Sequence, residues 1–148
     1  MSADIIIIVV GTEEELRRCR KLRNTVFTAE RGVPEEIEVD EFDCLEGMCD
    51  HILIKSGGRD VGALRCMHTD DGVIQIQRFC VLKDCRHKGY ARKALSLLEE
   101  HYRKKCVPKL VLDSKFEARG FYEKCGYETV SEPFEEAGIP HVKMEKCL

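Results

Sequence analysis

No apolar run in this sequence is long enough to cross a bilayer. The longest, Ile5–Val10, covers six residues, whereas a spanning helix needs about 20. Met1-Ser2-Ala3-Asp4 ahead of it has neither a positively charged n-region nor a cleavage site, so it does not read as a secretory leader. The expected location is cytoplasmic, with no membrane partner. A global basic field is missing too. The net charge is −3, which argues against a nucleic-acid partner, and a polyanion would need a local basic patch. Among the nine cysteines no two form a C-x-x-C pair, so the usual zinc spacing is absent and no metal is expected. A disulfide framework needs an oxidising compartment that nothing here supports, and the thiols read as reduced, several as small core hydrophobes. Repeats, low-complexity tracts and linkers are lacking as well.

What is present is the raw material of one folded domain over residues 1–148. Hydrophobic residues make up 43% and charged residues 34%, enough to bury one core and keep a solvated surface. The apolar period switches repeatedly between strand and helix types, which gives an α/β (α+β) fold. Ile5–Val10 reads as a buried strand, and Gly11 ends it. Thr12 with Glu15 forms a capping box for a helix carrying Leu16, Cys19, Leu22 and Val26. Gly32 and Pro34 break that helix. Strands over residues 51–55, 61–68 and 73–82, separated by Gly-containing turns, make an antiparallel meander. A helix from about Ala91 to Lys104 shows an apolar face of Ala91, Ala94, Leu95, Leu98 and Tyr102. A short strand over Leu110–Leu112 follows, then a second helix over about Lys115–Lys124, stopped by Gly126. Residues 127–131 and 141–146 are a final pair of strands joined by a long loop.

Residues 35–47 are acidic: Glu35, Glu36, Glu38, Asp40, Glu41, Asp43 and Glu46. Such a run usually means a solvated loop. Ile37, Val39 and Phe42 interrupt it, so it is expected to dock partly on the body.

The segment from Arg86 to Ala91 carries the chemistry. A helix start leaves backbone N–H groups without partners and bears a partial positive charge, so phosphates bind there. Gly89 would let a phosphate approach without a Cβ in the way. Lys83, Arg86, Lys88, Arg92 and Lys93 surround it, against one acid, Asp84. This local reversal of charge suggests a polyphosphate ligand. A glycine at an ordinary helix start with solvated lysines is the plainer alternative. The segment is neither a Walker loop nor G-x-G-x-x-G.

Arg86-His87-Lys88-Gly89-Tyr90-Ala91 resembles the R/Q-x-x-G-x-G/A pattern of the GNAT acetyltransferase superfamily. Phe121-Tyr122-Glu123-Lys124-Cys125-Gly126-Tyr127 resembles its second motif, F-Y-x-x-x-G-[FY], in the same order along the chain. Leu22-Arg23-x-x-Val26-Phe27-x-x-Glu30, Val33-Pro34-Glu35-Glu36, His51, Arg78 and Gly138-Ile139-Pro140-His141 are similar to the ElaA-like branch. The likeness covers nearly the whole chain. One departure is Lys115, where relatives usually have Gln or Asn.

The resemblance implies a mixed sheet of about six to seven strands flanked by about four helices, and direct transfer of an acetyl group from acetyl-CoA to a primary amine. The amides of Arg86, His87, Lys88, Gly89, Tyr90 and Ala91 would hold the pyrophosphate. The pantetheine arm would add to the strand edge at Phe79, Cys80 and Val81, with the Val81 N–H polarising the thioester carbonyl. Tyr122 would protonate the leaving thiolate, and Lys115 would meet a coenzyme phosphate. Glu30, Glu38 and Asp40 are base candidates, directly or through water, with His51 and His141 as further ones. Glu30, Glu38, Asp40, His51, Arg78 and His141 are candidate acceptor contacts. Cys80 sits in an apolar strand with no adjacent histidine and reads as structural. The acceptor is expected to be a small-molecule amine, an amino sugar phosphate such as glucosamine 6-phosphate being one candidate, with Arg23, Arg31, Arg65 or Arg78 as a possible contact for its phosphate. A protein lysine or N-terminal acetyltransferase, and a non-catalytic acyl-CoA-binding module, stand as alternatives. A homodimer stays open.

Overall fold

The computed structural model describes residues 4–148, so Met1–Ala3 of the leader reading lie outside the described residues. Strand β1 (Ile5–Val9) leads into helix α1 (Glu13–Arg23), which continues as a π-helical segment over Asn24–Glu30. A one-turn helix α2 (Glu35–Glu38) precedes the meander of β2 (Cys49–Ser56), β3 (Arg59–His68) and β4 (Ile74–Val81). Helix α3 (Tyr90–Lys104), β5 (Lys109–Lys115), α4 (Arg119–Lys124), β6 (Glu128–Thr129), β7 (Phe134–Glu136) and β8 (Ile139–Cys147) complete the chain. The sheet runs β1-β2-β3-β4-β5-β8-β6, with β7 also on β8. Among the described residues only β4 and β5 pair in parallel, and α3 makes the crossover between them, as a parallel pair requires.

Local chemistry sets these boundaries. Thr12 Oγ1 accepts from the Glu15 amide at 3.1 Å, and the Glu15 carboxylate accepts from the Gly11 amide at 2.9 Å. This is the expected box, with its return bond shifted one residue outward. Gly57 and Gly58, at φ 56° and 85°, make the two-residue turn between β2 and β3, a conformation that suits glycine.

The core has two halves. Ala94, Leu95, Leu98 and Tyr102 of α3 pack on Ile52, Ile54, Leu64, Ile76, Leu110 and Met144. Cys19, Leu22 and Val26 cover the opposite face over Leu53, Ala63 and Cys80. Each fully buried aliphatic side chain contributes about 1.5–3 kcal/mol.

Several elements differ from the sequence reading. β1 pairs only with β2, so it is an edge strand with Ile6 and Val9 exposed. β5 runs to Lys115, three residues past the expected end, because Leu110, Leu112 and Ser114 all point inward and β8 pairs through Lys115↔His141. Lys115 therefore ends a strand rather than starting a helix, and α4 begins only at Arg119. The sheet has eight strands rather than six or seven, because the long final loop holds β7. β7 hairpins onto β8 through Ala137 and Gly138, at φ 53° and 77°.

Alanine is strained in that left-handed position, which asparagine tolerates. Ala137→Asn is expected to stabilise the protein by about 0.5–1 kcal/mol and raise the thermal midpoint by about 2–3 °C. Thermal unfolding monitored by circular dichroism checks this.

Candidate active site

Strands β4 and β5 pair over only three rungs, Ile74↔Leu110, Gln75↔Val111 and Ile76↔Leu112. Beyond them the strands part. The cause lies in β4. Cys80 stands opposite Ala63, but Gln77 stands opposite Arg65, so two β4 residues oppose one on β3. This is a β-bulge, and it bends the strand away from its neighbour. Arg78 takes the strained position at φ 52°. Gly62 suits the crowding on the β3 side, where a Cβ would strike the Cys80 carbonyl.

The splay leaves one edge of β4 without a strand partner. The Leu82 amide donates to the Val61 carbonyl at 2.9 Å. By antiparallel alternation Cys80 also faces β3, and the Val81 N–H and carbonyl face the open edge. That carbonyl accepts from Arg86 Nε at 3.0 Å, as its outward direction allows.

The open edge leads to the start of α3. Gly89 caps this helix at φ 80° and supplies no side-chain bond. The first inward bond is the Lys93 amide to the Gly89 carbonyl. The amides of Gly89, Tyr90, Ala91 and Arg92 therefore have no acceptor among the described residues. Lys88, Arg92 and Lys93 are exposed around them, and the nearby acid Asp84 is already paired with Arg59 at 3.0 Å. An anion would meet bare amides, a helix dipole and mobile cations.

On the far side the splay opens into a cleft of about 840 Å³. Phe79, Arg78, Glu38, Asp40, Lys115, Tyr122 and His141 of the sequence candidates line it. Glu30, His51, Cys80 and Val81 do not, nor does the turn from Arg86 through His87, Lys88, Gly89 and Tyr90 to Ala91.

The acidic segment forms one cleft wall by docking on two buried arginines. Arg23, 1% exposed, pairs with Glu38 at 2.7 Å and Asp43 at 2.6 Å. Arg65, 2% exposed, pairs with Asp40 at 2.6 Å and Asp43 at 3.1 Å. Arg78 reaches Glu38 at 3.2 Å and Asp40 at 3.5 Å. Burial alone would raise the Asp43 and Asp40 pKa values. Hydrogen bonds and charge from Arg23 to Asp43, and from Arg65 to Asp40, outweigh it and hold both carboxyls below the usual range. Asp40 thus accepts from arginines and is a weak proton acceptor, and Glu38 is spent on ion pairs.

Two further expectations need correction. Glu30 makes a two-pronged bond to Arg86, at 2.6 and 2.7 Å, which lowers its pKa and removes it as a base in the cleft. His51 is buried, with Nε2 at 3.1 Å from the Phe42 carbonyl and 3.2 Å from the Cys44 carbonyl. Burial lowers its pKa, so neutral His51 donates to the loop and fastens it to β2 rather than meeting an acceptor. His141 does reach the cleft. Its Nδ1 donates to the Ile139 carbonyl at 2.7 Å, and Nε2 lies 3.4 Å from Glu136.

Tyr122 comes from α4, with Phe121 turned outward and 37% exposed. Its ring packs edge-on to Tyr127 at 5.9 Å. Burial pushes its pKa up to about 12, so the phenol keeps its proton at neutral pH. Burial likewise raises the Cys80 thiol to about 12, which makes it inert as a nucleophile, as its apolar setting suggested.

The sequence reading missed Gln77, Asp113 and Glu136 in the cleft, and placed Arg65 only as a possible phosphate contact. The usable signals were a charge inside an apolar strand, at Ala63-Leu64-Arg65-Cys66, and the alternation Leu112, Asp113, Ser114, Lys115.

Comparison with known proteins agrees with this geometry. The family described as acetyltransferase (GNAT) domain matches residues 16–148. The uncharacterized N-acetyltransferase YjcF of Bacillus subtilis (strain 168) is 36% identical over 140 residues, covering 94% of this chain and 97% of its own. Escherichia coli ElaA superimposes with a TM-score of 0.80 at 25% identity, over 97% of this chain and 99% of its own. An acyl-CoA N-acyltransferase from Pseudomonas aeruginosa gives 0.79 at 25% identity, over 98% and 99%. The chain belongs to the GNAT acetyltransferase family. It is an acyltransferase of the ElaA-like kind foreseen from its motifs.

Removing Arg23 would leave buried Glu38 with Arg78 alone and buried Asp43 with Arg65 alone. Arg23→Ala is expected to cost about 3–5 kcal/mol in urea unfolding. Asp40 and Asp43 have folded pKa values below the unfolded value of about 4. Their contribution is therefore full above about pH 5 and lost as pH falls through the lowered folded values. A urea series across that acid range should show the wild type weakening more than the Arg23→Ala variant.

Proposed function

We propose that this chain, acting as one domain over residues 1–148, transfers an acetyl group from acetyl-coenzyme A to the primary amine of a small metabolite. An amino sugar phosphate such as glucosamine 6-phosphate is one acceptor class within this reading. The observation that carries this reading is the continuity of the open β4 edge with the bare amides at the start of α3. A pyrophosphate would sit on the amides and a pantetheine arm would lie along β4. The thioester would then reach the splay, where the Val81 N–H would polarise its carbonyl oxygen. The similarity to the acyl-CoA N-acyltransferase from Pseudomonas aeruginosa supports the same cofactor class.

The amine attacks the thioester carbon, and the carbon–sulfur bond breaks as the tetrahedral centre collapses. The leaving thiolate, by analogy with cysteine at a pKa of about 8.5, takes a proton from Tyr122, which is protonated at neutral pH. The proton shed by the amine leaves through water, since Glu30 and Asp40 are held low by arginines. Arg31, Arg78 and Lys115 line the cleft and offer positive charge to an acceptor phosphate. Nine free thiols fit a reducing cytoplasm, and this reading keeps the protein there.

Thiol release from acetyl-CoA, measured against glucosamine 6-phosphate, spermidine and lysine peptides, tests the proposal. Turnover with a small amine supports it. Silence with all of them, together with no thermal shift on adding coenzyme A, ends it. Tyr122→Phe is expected to lower kcat by roughly 10²-fold or more while coenzyme A affinity, by calorimetry, stays the same.

A further inference from the structure

Asp113 is the carboxylate of the cleft that folding leaves unused. It lies on β5 one residue past Leu112, the last rung shared with β4, at the throat of the splay. Its Oδ1 is buried and has no hydrogen-bond partner among the described residues. The other acids of the cleft are engaged or solvated. Glu38 and Asp40 belong to arginines, Glu136 lies 3.4 Å from His141 Nε2, and Glu117 is exposed.

A buried carboxylate oxygen without a donor is costly, and folding alone does not repay it. An ionised carboxylate can only accept, and it binds most strongly to a charged donor. No group of side chains suited to a metal accompanies Asp113 among the described residues. Lys143 stands opposite on β8 without pairing to it among the described residues. The half-buried Asp113 side chain lines the cleft, and a turn of its carboxylate would present an oxygen there to a single cationic N–H group.

We propose that Asp113 seats the ammonium of the acceptor, so the enzyme admits its substrate in the charged form and orients the nitrogen at the splay, where one proton passes to water before the neutral amine attacks. This rests on the acetyl-transfer reading above and adds the residue that recognises the amine. Lys115, two residues on and on the same face of β5, lies about 7 Å further along the strand and forms no ion pair among the described residues. A negative group on the acceptor would meet it there. The preferred acceptors are therefore amines that carry an anionic substituent a few bonds away.

The test compares wild type with Asp113→Asn, which keeps the side-chain shape. Glucosamine 6-phosphate, spermidine and lysine peptides are assayed by thiol release, and glucose 6-phosphate is titrated as an inhibitor lacking the amine. The expected result is an acceptor KM raised about tenfold or more, as loss of a charged hydrogen bond implies. The acetyl-CoA KM should stay within about twofold, glucose 6-phosphate should inhibit both proteins equally, and the free variant should melt at the same temperature or higher. A structural aspartate would give the opposite stability result. An unchanged acceptor KM in an active variant, or a variant that melts lower and loses coenzyme affinity as well, overturns the proposal while leaving acetyl transfer intact. A wild type that releases no thiol with any amine removes both.

Discussion

Two guanidinium groups buried under one loop give the active-site cleft its wall. Arg23 rises from the end of α1 and Arg65 from the middle of β3, and both are almost sealed from water. Neither charge could stay there alone, because an unpaired buried ion costs several kcal/mol. Glu38, Asp40 and Asp43 answer them, which pulls residues 35–47 against the sheet. His51 adds a second fastening through the carbonyls of Phe42 and Cys44. The loop is acidic because its underside is basic, so its charge says more about folding than about substrate.

The second organising feature is the bulge at Arg78. One extra residue in β4 ends the β4–β5 ladder after Ile76 and opens the sheet where chemistry is needed. It also aims the Arg78 guanidinium at Glu38 and Asp40. The loop and the splay are thus fastened to each other, and a change in one strains the other. Strained backbone at such a place is common in active sites.

Much of this was readable in the chain. The meander, α3, the capping box at Thr12 and the phosphate-ready turn at Gly89 follow from periodicity and from single-residue chemistry. The order of the two motifs pointed to the family before any geometry was known. Other features were hidden because they depend on distant partners. Nothing local says that Glu30 will meet Arg86, or that His51 will lie under a loop. The bulge leaves no mark in the sequence, since Gln77-Arg78-Phe79 reads as ordinary strand. The end of β5 was misplaced for a related reason. Asp113 and Lys115 look like helix-start residues until β8 is known to pair alongside them.

The contact between Arg86 and Val81 shapes the open edge in an asymmetric way. Arg86 Nε occupies the Val81 carbonyl and Glu30 steadies the guanidinium, whereas the Val81 amide is left bare. An intruding strand from another molecule would need both groups to extend the ladder, and it finds the acceptor plugged. A coenzyme arm needs only the donor to hold its carbonyl. The unpaired sheet edge thus stays open to the proposed coenzyme arm while it is closed to a strand from a second copy.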